Sequence, residues 1–341
     1  MTHTQVMATI ADTRATVPFI KALHSAGMMG IRINSAHVEP ESIRSIISLV
    51  REVSQDIKIL MDTKGPEMRT TALGNGVESV SLSEGHTVLL TGGSAETTEH
   101  EIFVNVRRIG EFFKPGNRLF LDDGEISLII KEIVGGDSVM CEVVKGGSLG
   151  SRKSLSASED TVLPPLPAVS EKDKVNIAAA LETGIDMIAH SFVRSAEDIS
   201  ELRDILAGTD TRLYAKIECR EALENMKEIA EAADGLLVAR GDLGAQIAIE
   251  RVPAVQMRVM SMCKKLGKPV IVATQILHSM MTSPQPTRAE VSDIAFGTSL
   301  GAEWLLLTGE TAKGDFPEEC VRVMADTICE TEKYLDSCRE K

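Results

Sequence analysis

A lysine and a glutamate stand two residues apart at the end of an otherwise apolar run, "RLYAKIE", from Arg212 to Glu218. Side chains two apart on a strand point the same way. Lys216 and Glu218 therefore face together with Tyr214 below them, and Ala215 and Ile217 turn towards a helix layer. The device recurs along the chain. "GIRINSA" puts Arg32 and Asn34 on one face, and "IKILMDTKG" ends in Asp62 and Thr63, with Lys64, Glu67 and Arg69 just beyond. "GLLVARGD" places Arg240 and Asp242 on one face above Leu236 and Val238, "PVIVATQ" ends at Thr274, and "WLLLTGE" ends at Glu310. One charged strand end is ordinarily a solvated or paired surface group, but several converging on one place need another account. Buried charge is costly unless neutralised, so these groups must satisfy each other, a metal or a ligand. Glu218 and Asp242 are hard oxygen donors suited to Mg2+ or Mn2+. Arg32, Arg69 and Lys216 suit an anion such as phosphate. "GDLG", with Gly241, reads as the start of a short helix whose free N–H groups take up a carboxylate. The chemistry implied is metal-dependent work on a small phosphorylated or carboxylated metabolite.

Elements of a particular kind must hold these groups. Besides the runs above, "VMATI" and "DMIAHSF" read as strands, giving eight, most of them followed by segments of helical apolar spacing such as "AEDISELRDIL" and "PAVQMRVMSMCKKLG". Strands apolar on both faces and alternating with helices indicate a parallel sheet, and eight such units predict a closed (β/α)8 TIM barrel, with its polar residues at the C-terminal strand ends. Residues 67–164 have a different texture. "HTVLLTGG", "RLFLDDGEISLIIKEI" and "SVMCEVVKGG" alternate apolar and polar residues between turns, the signature of antiparallel β structure. The expected organisation is a barrel from 1–66 and 165–341, with a small β-barrel lid domain of residues 67–164 inserted after strand 3.

Composition bounds the partners. The 341 residues carry a formal net charge of -14, which argues against nucleic acid or an anionic membrane surface. No apolar run approaches the roughly 20 residues of a membrane span, and the N-terminus shows no secretory signal pattern. The six cysteines have no metal-like spacing and read as reduced thiols of a cytoplasmic protein.

The stretches "IRINSAH", "MDTKGPEMRT", "LPAVSEKDK", "AKIE", "VARGDLG", "KPVIVATQIL", "PTRAEVSD" and "LTGETAKGDFPEE" occur in an order and spacing that resemble the pyruvate kinase family over essentially the whole chain. The resemblance implies phosphoryl transfer from phosphoenolpyruvate to ADP, giving pyruvate and ATP. It places Lys216 against the transferring phosphoryl group and Arg32 on the phosphate, with Glu218 and Asp242 on Mg2+ (or Mn2+). Asn34, Asp62 and the Thr63 carbonyl fall at a K+ site, and Thr274 on the enolate face. His37, Arg69 and Lys172 fall near the nucleotide phosphates, Gly241 and Glu310 at substrate-side positions, and Glu67 matches the family form associated with K+ dependence. The inserted domain would be the lid over the nucleotide.

The chain also departs from the family pattern. Ala11 and Asp12 replace a Gly-Pro pair. Ala36 replaces a serine hydroxyl of the K+ site, which weakens that site, and Val38 replaces a glycine. "SASEDTV" stands at the lid's return hinge, Phe296 and Leu300 differ on a later helix, Gln246 stands for a glutamate and Thr308 for a serine. The family's usual further C-terminal domain has no counterpart before Lys341, so no effector site of the usual kind is expected, and the expected assembly is a homodimer through the barrel. Two alternatives to an active kinase stay open: a catalytically weak or inactive paralogue that binds phosphoenolpyruvate, and a metal-dependent lyase or aldolase acting on pyruvate-like enolates.

Overall fold

The computed structural model describes residues 3–339 except 123, 159, 160, 162, 163 and 165, and all of their side chains but those of His37 and Asn75. The chain divides into two units, Met1–Gly65 with Ala168–Lys341, and Pro66–Pro167.

The first unit is built on eight strands: β1 (Gln5–Thr9), β2 (Met28–Asn34), β3 (Lys58–Asp62), β4 (Met187–His190), β5 (Arg212–Ile217), β6 (Gly235–Ala239), β7 (Val270–Ala273) and β8 (Trp304–Leu307). Each pairs in parallel with its sequence neighbours, and β1 pairs with β8, closing a (β/α)8 barrel. Period-two alternation explains why the strands are apolar throughout. Met7, Leu60, Met187, Tyr214, Leu237, Ile271, Trp304 and Leu306 fill the interior. Ile31, Ile59, Ile188, Leu213, Leu236, Val238, Val272 and Leu305 belong to the larger cluster shared with the helices. Both faces are dry, as a parallel sheet under helices requires.

The helices begin and end where local chemistry dictates. Ser170 and Asp173 form a reciprocal capping box at the start of Glu171–Glu182, and Thr287 and Glu290 do the same for Arg288–Leu300. Gly267 and Gly301 stop Val252–Leu266 and Arg288–Leu300 in the left-handed conformation.

One sequence expectation fails in β6. Leu236 and Val238 face the helix layer, and Leu237 and Ala239 face the barrel interior. The strand stops at Ala239, and Arg240–Gln246 is helical. Arg240 and Asp242 therefore do not continue a strand face above Leu236 and Val238. The change of backbone from strand to helix breaks the period of two on which that reading depended.

The second unit has its own core, including Leu90, Leu119, Leu128, Cys141 and Val143. Six strands order as Leu155–Ala157, Arg118–Leu121, Ile126–Gly135, Ser138–Lys145, Thr87–Gly92 and Glu101–Val104, and Ser79–Leu82 pairs separately with Gly147–Gly150. Pairing is antiparallel except between Thr87–Gly92 and Glu101–Val104, which run parallel. Register shifts along Ile126–Gly135 let this sheet curl. Within the return segment "SASEDTV", positions 159, 160 and 162 lie outside the described residues. No described helix is long and apolar enough to cross a membrane.

Candidate active site

Lys216 is the centre of the polar cluster at the C-terminal strand ends. It sits on β5 with 8% of its surface exposed. Its ammonium lies 2.9 Å from Ser191 Oγ, 3.1 Å from Glu218 Oε2 and 3.2 Å from Asp62 Oδ2. An ammonium has three protons to donate, and three oxygens surround this one. Burial alone would strip its charge, but the neighbouring carboxylates of Asp62, Glu218 and Asp242 outweigh burial and hold its pKa well above the ordinary lysine value.

The two nearer carboxylates differ. At Asp62 burial works against ionisation, yet Arg32 and Lys216 prevail and hold the pKa below the usual carboxylate range. Arg32 Nη2 donates to Asp62 Oδ2 at 2.6 Å, because β2 and β3 pair Asn34 with Asp62 and bring both strand ends to one edge. Glu218 is fully buried. Burial pushes its pKa up to about 7 against the opposing pull of Lys216, and Asp242 pushes it further in the same direction. Glu218 Oε1 accepts from the Phe192 amide at 2.7 Å. Among the described residues, Oε2 keeps the ion pair with Lys216 but has no hydrogen-bond partner of good geometry, and Asp62 Oδ1 has none either. Buried carboxylate oxygens left in this state mark a place for a cation.

A divalent ion fits that description. Asp242 is exposed at the start of Arg240–Gln246 and acts electrostatically on both Lys216 and Glu218. Among the described residues no group of three or more His, Cys, Asp or Glu forms a complete ligand set. Two carboxylates with the remaining positions left to substrate oxygens and water is the arrangement Mg2+ favours.

The other sequence candidates divide. Thr274 and Gln275 follow β7 with φ of 72° and 53°, the left-handed region that a β-branched residue rarely enters. Thr274 Oγ1 accepts from the Gly241 amide at 2.7 Å, so that N–H is engaged within the protein. The Thr274 carbonyl takes two donors from Arg240, whose Nη1 grips both oxygens of Asp293 at 2.8 and 2.6 Å. Asn34 Oδ1 accepts from the Ala36 amide, and the Thr63 carbonyl accepts from Ser191 Oγ at 2.7 Å. Lys172 reaches the Ala36 carbonyl and Glu39. Glu310 is buried, with its carboxylate taken up by the amides of Leu277 and Thr308 and by the Thr308 hydroxyl. It braces the loops after β7 and β8. Arg69 and Glu67 belong to the second unit and form an ion pair with each other there. The His37 side chain lies outside the described residues.

Sequence reasoning passed over four participants. Ser191 directly follows β4, a position at a strand end that could have been read. Asp173 accepts from the Lys64 and Gly65 amides as well as capping its own helix, and the Ser-x-x-Asp pattern of Ser170–Asp173 was a signal for the cap alone. His190 and Asp293 gave no signal, since each depends on a partner distant in sequence, Thr63 and Arg240 respectively.

A cavity of about 610 Å3, lined by residues including Arg212, Lys268 and Glu303, lies at the N-terminal ends of the strands, the stabilising rather than the reactive face of such barrels.

Fold and site together define a class: a (β/α)8 barrel with a buried, charged cluster at its C-terminal strand ends, the face on which such barrels carry out chemistry. Comparison with known proteins agrees. Residues 1–321 match the family "Pyruvate kinase, barrel domain". Over 334 residues the chain is 37% identical to the pyruvate kinase of Borreliella burgdorferi, an overlap of 97% of this chain and 69% of that protein. It is 40% identical over 327 residues to the pyruvate kinase of Methylorubrum extorquens, covering 94% and 67%. With the pyruvate kinase of Geobacillus stearothermophilus it shares 38% identity over 341 residues, covering 98% and 57%. The chain belongs to the pyruvate kinase family, and its chemistry is that of a phosphotransferase.

Proposed function

We propose that this chain transfers the phosphoryl group of phosphoenolpyruvate to ADP, giving pyruvate and ATP in glycolysis in the cytoplasm. The observation that carries the reading is the buried Lys216 ammonium, kept charged by Asp62 and Glu218 and flanked by Arg32 on Asp62. Phosphoryl transfer asks a protein for positioning and preorganised positive charge more than for covalent help. Lys216 would stabilise the charge on the transferring group, and Arg32 would hold the phosphate from the adjacent strand end. Glu218 and Asp242 would hold Mg2+ (or Mn2+), which would supply neutralisation of substrate negative charge when bound. Thr274, held by Gly241 and Arg240, would face the enolate carbon. His37, Lys172 and Arg69 would serve the nucleotide phosphates, with residues 66–167 as a lid that excludes water as a competing acceptor. Glu310 is better read as the brace of two loops than as a substrate contact. The acidic net charge of -14 supports small-molecule partners over nucleic acid or membranes, and the assembly we propose is a homodimer through the barrel.

K+ would sit beside Asn34, Asp62 and the Thr63 carbonyl. The unpartnered Asp62 Oδ1 supports this. One observation favours a second reading, a phosphoenolpyruvate-binding protein of weak or no turnover: Ala36 brings no hydroxyl, and Asn34 Oδ1 is drawn to the Ala36 amide. Incubation with phosphoenolpyruvate, ADP, Mg2+ and either K+ or Na+ separates the two. Stoichiometric ATP and pyruvate, faster in K+, is the expected result. Binding of phosphoenolpyruvate without turnover would establish the second reading, and equal rates in the two salts would remove the K+ assignment built on Glu67.

A further inference from the structure

Three oxygens receive the Lys216 ammonium, and two of them have competing duties. Asp62 Oδ2 also accepts from Arg32 at 2.6 Å. Glu218 Oε2, at 3.1 Å from the ammonium, is one of the two buried carboxylate oxygens of this cluster open to a cation, Asp62 Oδ1 being the other. The third oxygen, Ser191 Oγ at 2.9 Å, has neither duty.

Its hydrogen bonds have a fixed direction. A lysine ammonium only donates, so Ser191 Oγ must accept from Lys216. Its single proton then goes to the Thr63 carbonyl at 2.7 Å. The backbone beneath the hydroxyl is held independently. Thr63 N donates to the Ala189 carbonyl at 2.9 Å, and Ser191 N donates to Thr63 Oγ1 at 3.0 Å. On the other side Gly65, at φ 73°, lies so close that a Cβ there would come within 2.4 Å of the Ser191 carbonyl oxygen. Thr63 Oγ1 is backed in turn by His190 Nδ1 at 2.9 Å. The acceptor offered to Lys216 is therefore rigid. It is also neutral: a carboxylate in its place would anchor the ammonium but cancel the charge that phosphoryl transfer uses.

We propose that Ser191 is the positioning residue for Lys216. Its hydroxyl holds the ammonium on a fixed line to the Thr63 carbonyl, so the amine keeps its place and its charge when Glu218 turns to a cation. The inference rests on the reading that Lys216 acts on the transferring phosphoryl group.

The test is steady-state kinetics of Ser191→Ala and Ser191→Thr in the full chain, with Lys216→Met as reference. Ser191→Ala keeps the backbone bonds to Thr63, so its melting temperature should stay close to that of the parent. Its kcat should fall about 10–100-fold, the range for loss of a group that orients another. KM for phosphoenolpyruvate should change less than about threefold, because a positioning residue acts through Lys216 rather than on substrate. Ser191→Thr, which retains the hydroxyl, should recover most of the lost kcat at a similar melting temperature. A Ser191→Ala kcat within twofold of the parent, while Lys216→Met is inactive, would overturn the proposal. So would a loss of kcat that follows melting temperature, with Ser191→Thr no better than Ser191→Ala. Parental activity in Lys216→Met would remove the underlying reading of Lys216 instead.

Discussion

Lys216 shows how a charged residue can be read correctly in type and face while its environment stays hidden. That it shares a face with Glu218 follows from alternation along β5. That the amine stays charged depends on Asp62, which pairs with it from β3 at 3.2 Å, some 150 positions earlier in the sequence. Removing the amine without removing bulk should separate chemistry from folding. Lys216→Met is expected to lower phosphoryl transfer at least about 1000-fold with an unchanged circular dichroism spectrum, and substantial turnover in that variant would exclude Lys216 from the mechanism. His190 supports a prediction of another kind. It is fully buried behind Thr63, and burial drives its pKa down from 6.5 to about 4. The unfolded chain takes up a proton near pH 6.5 that the native state refuses until about pH 4. Stability should therefore fall as pH drops through that window, by about 3 kcal/mol in all. Urea titrations at pH 6.5 and 4 should show this loss in the parent beyond that in His190→Gln, and equal losses in the two would contradict it.

At the scale of elements, the turn after β3 matters most. Thr63, Lys64 and Gly65 wrap over Ser191, and Asp173 receives both the Lys64 and Gly65 amides. The turn needs a residue at φ 73° with no Cβ, since one would lie 2.4 Å from the Ser191 carbonyl oxygen. Gly65→Ala should cost about 3 kcal/mol from left-handed strain and the clash together, measured by denaturant unfolding, and should lower kcat by moving Ser191 away from Lys216. A variant as stable and active as the parent would show that the turn yields freely. The short helix Arg240–Gln246 makes a complementary point. "GDLG" was legible as a helix start, but the inward face assigned to Arg240 was not, because a strand's alternation ends with the strand. Arg240 instead spends its guanidinium on Asp293 and the Thr274 carbonyl, where it secures a β-branched residue in an unfavourable backbone region.

For the whole molecule, two separate cores imply two units able to form on their own. The Gly65 amide lies 3.3 Å from Asp173 Oδ2, so the chain leaving the barrel and the chain returning to it are close enough for a short Gly-Ser linker to replace 66–167. The shortened protein should keep the barrel's secondary structure and a cooperative melt. If residues 66–167 act as proposed, it should lose transfer to ADP by about 100-fold or more, since Arg69 and the proposed lid would go with the deleted residues. Transfer at the parental rate would show that residues 66–167 take no part in the reaction.

The sequence by itself determined the eight strands, the change of texture over 67–164, close to the second unit's bounds of Pro66–Pro167, and the residue types at each strand end. All of these follow from short-range periodicity, which a linear chain displays directly. Family membership was legible too, because the motifs keep their order and spacing. Only the tertiary structure decided which groups meet. Strand register set Asp62 against Lys216, loop packing assigned Glu310 to backbone amides, and the turn at Gly65 put Ser191 within reach of the ammonium. Such contacts join residues far apart in sequence, and their strength depends on burial, which exists only once the barrel has closed.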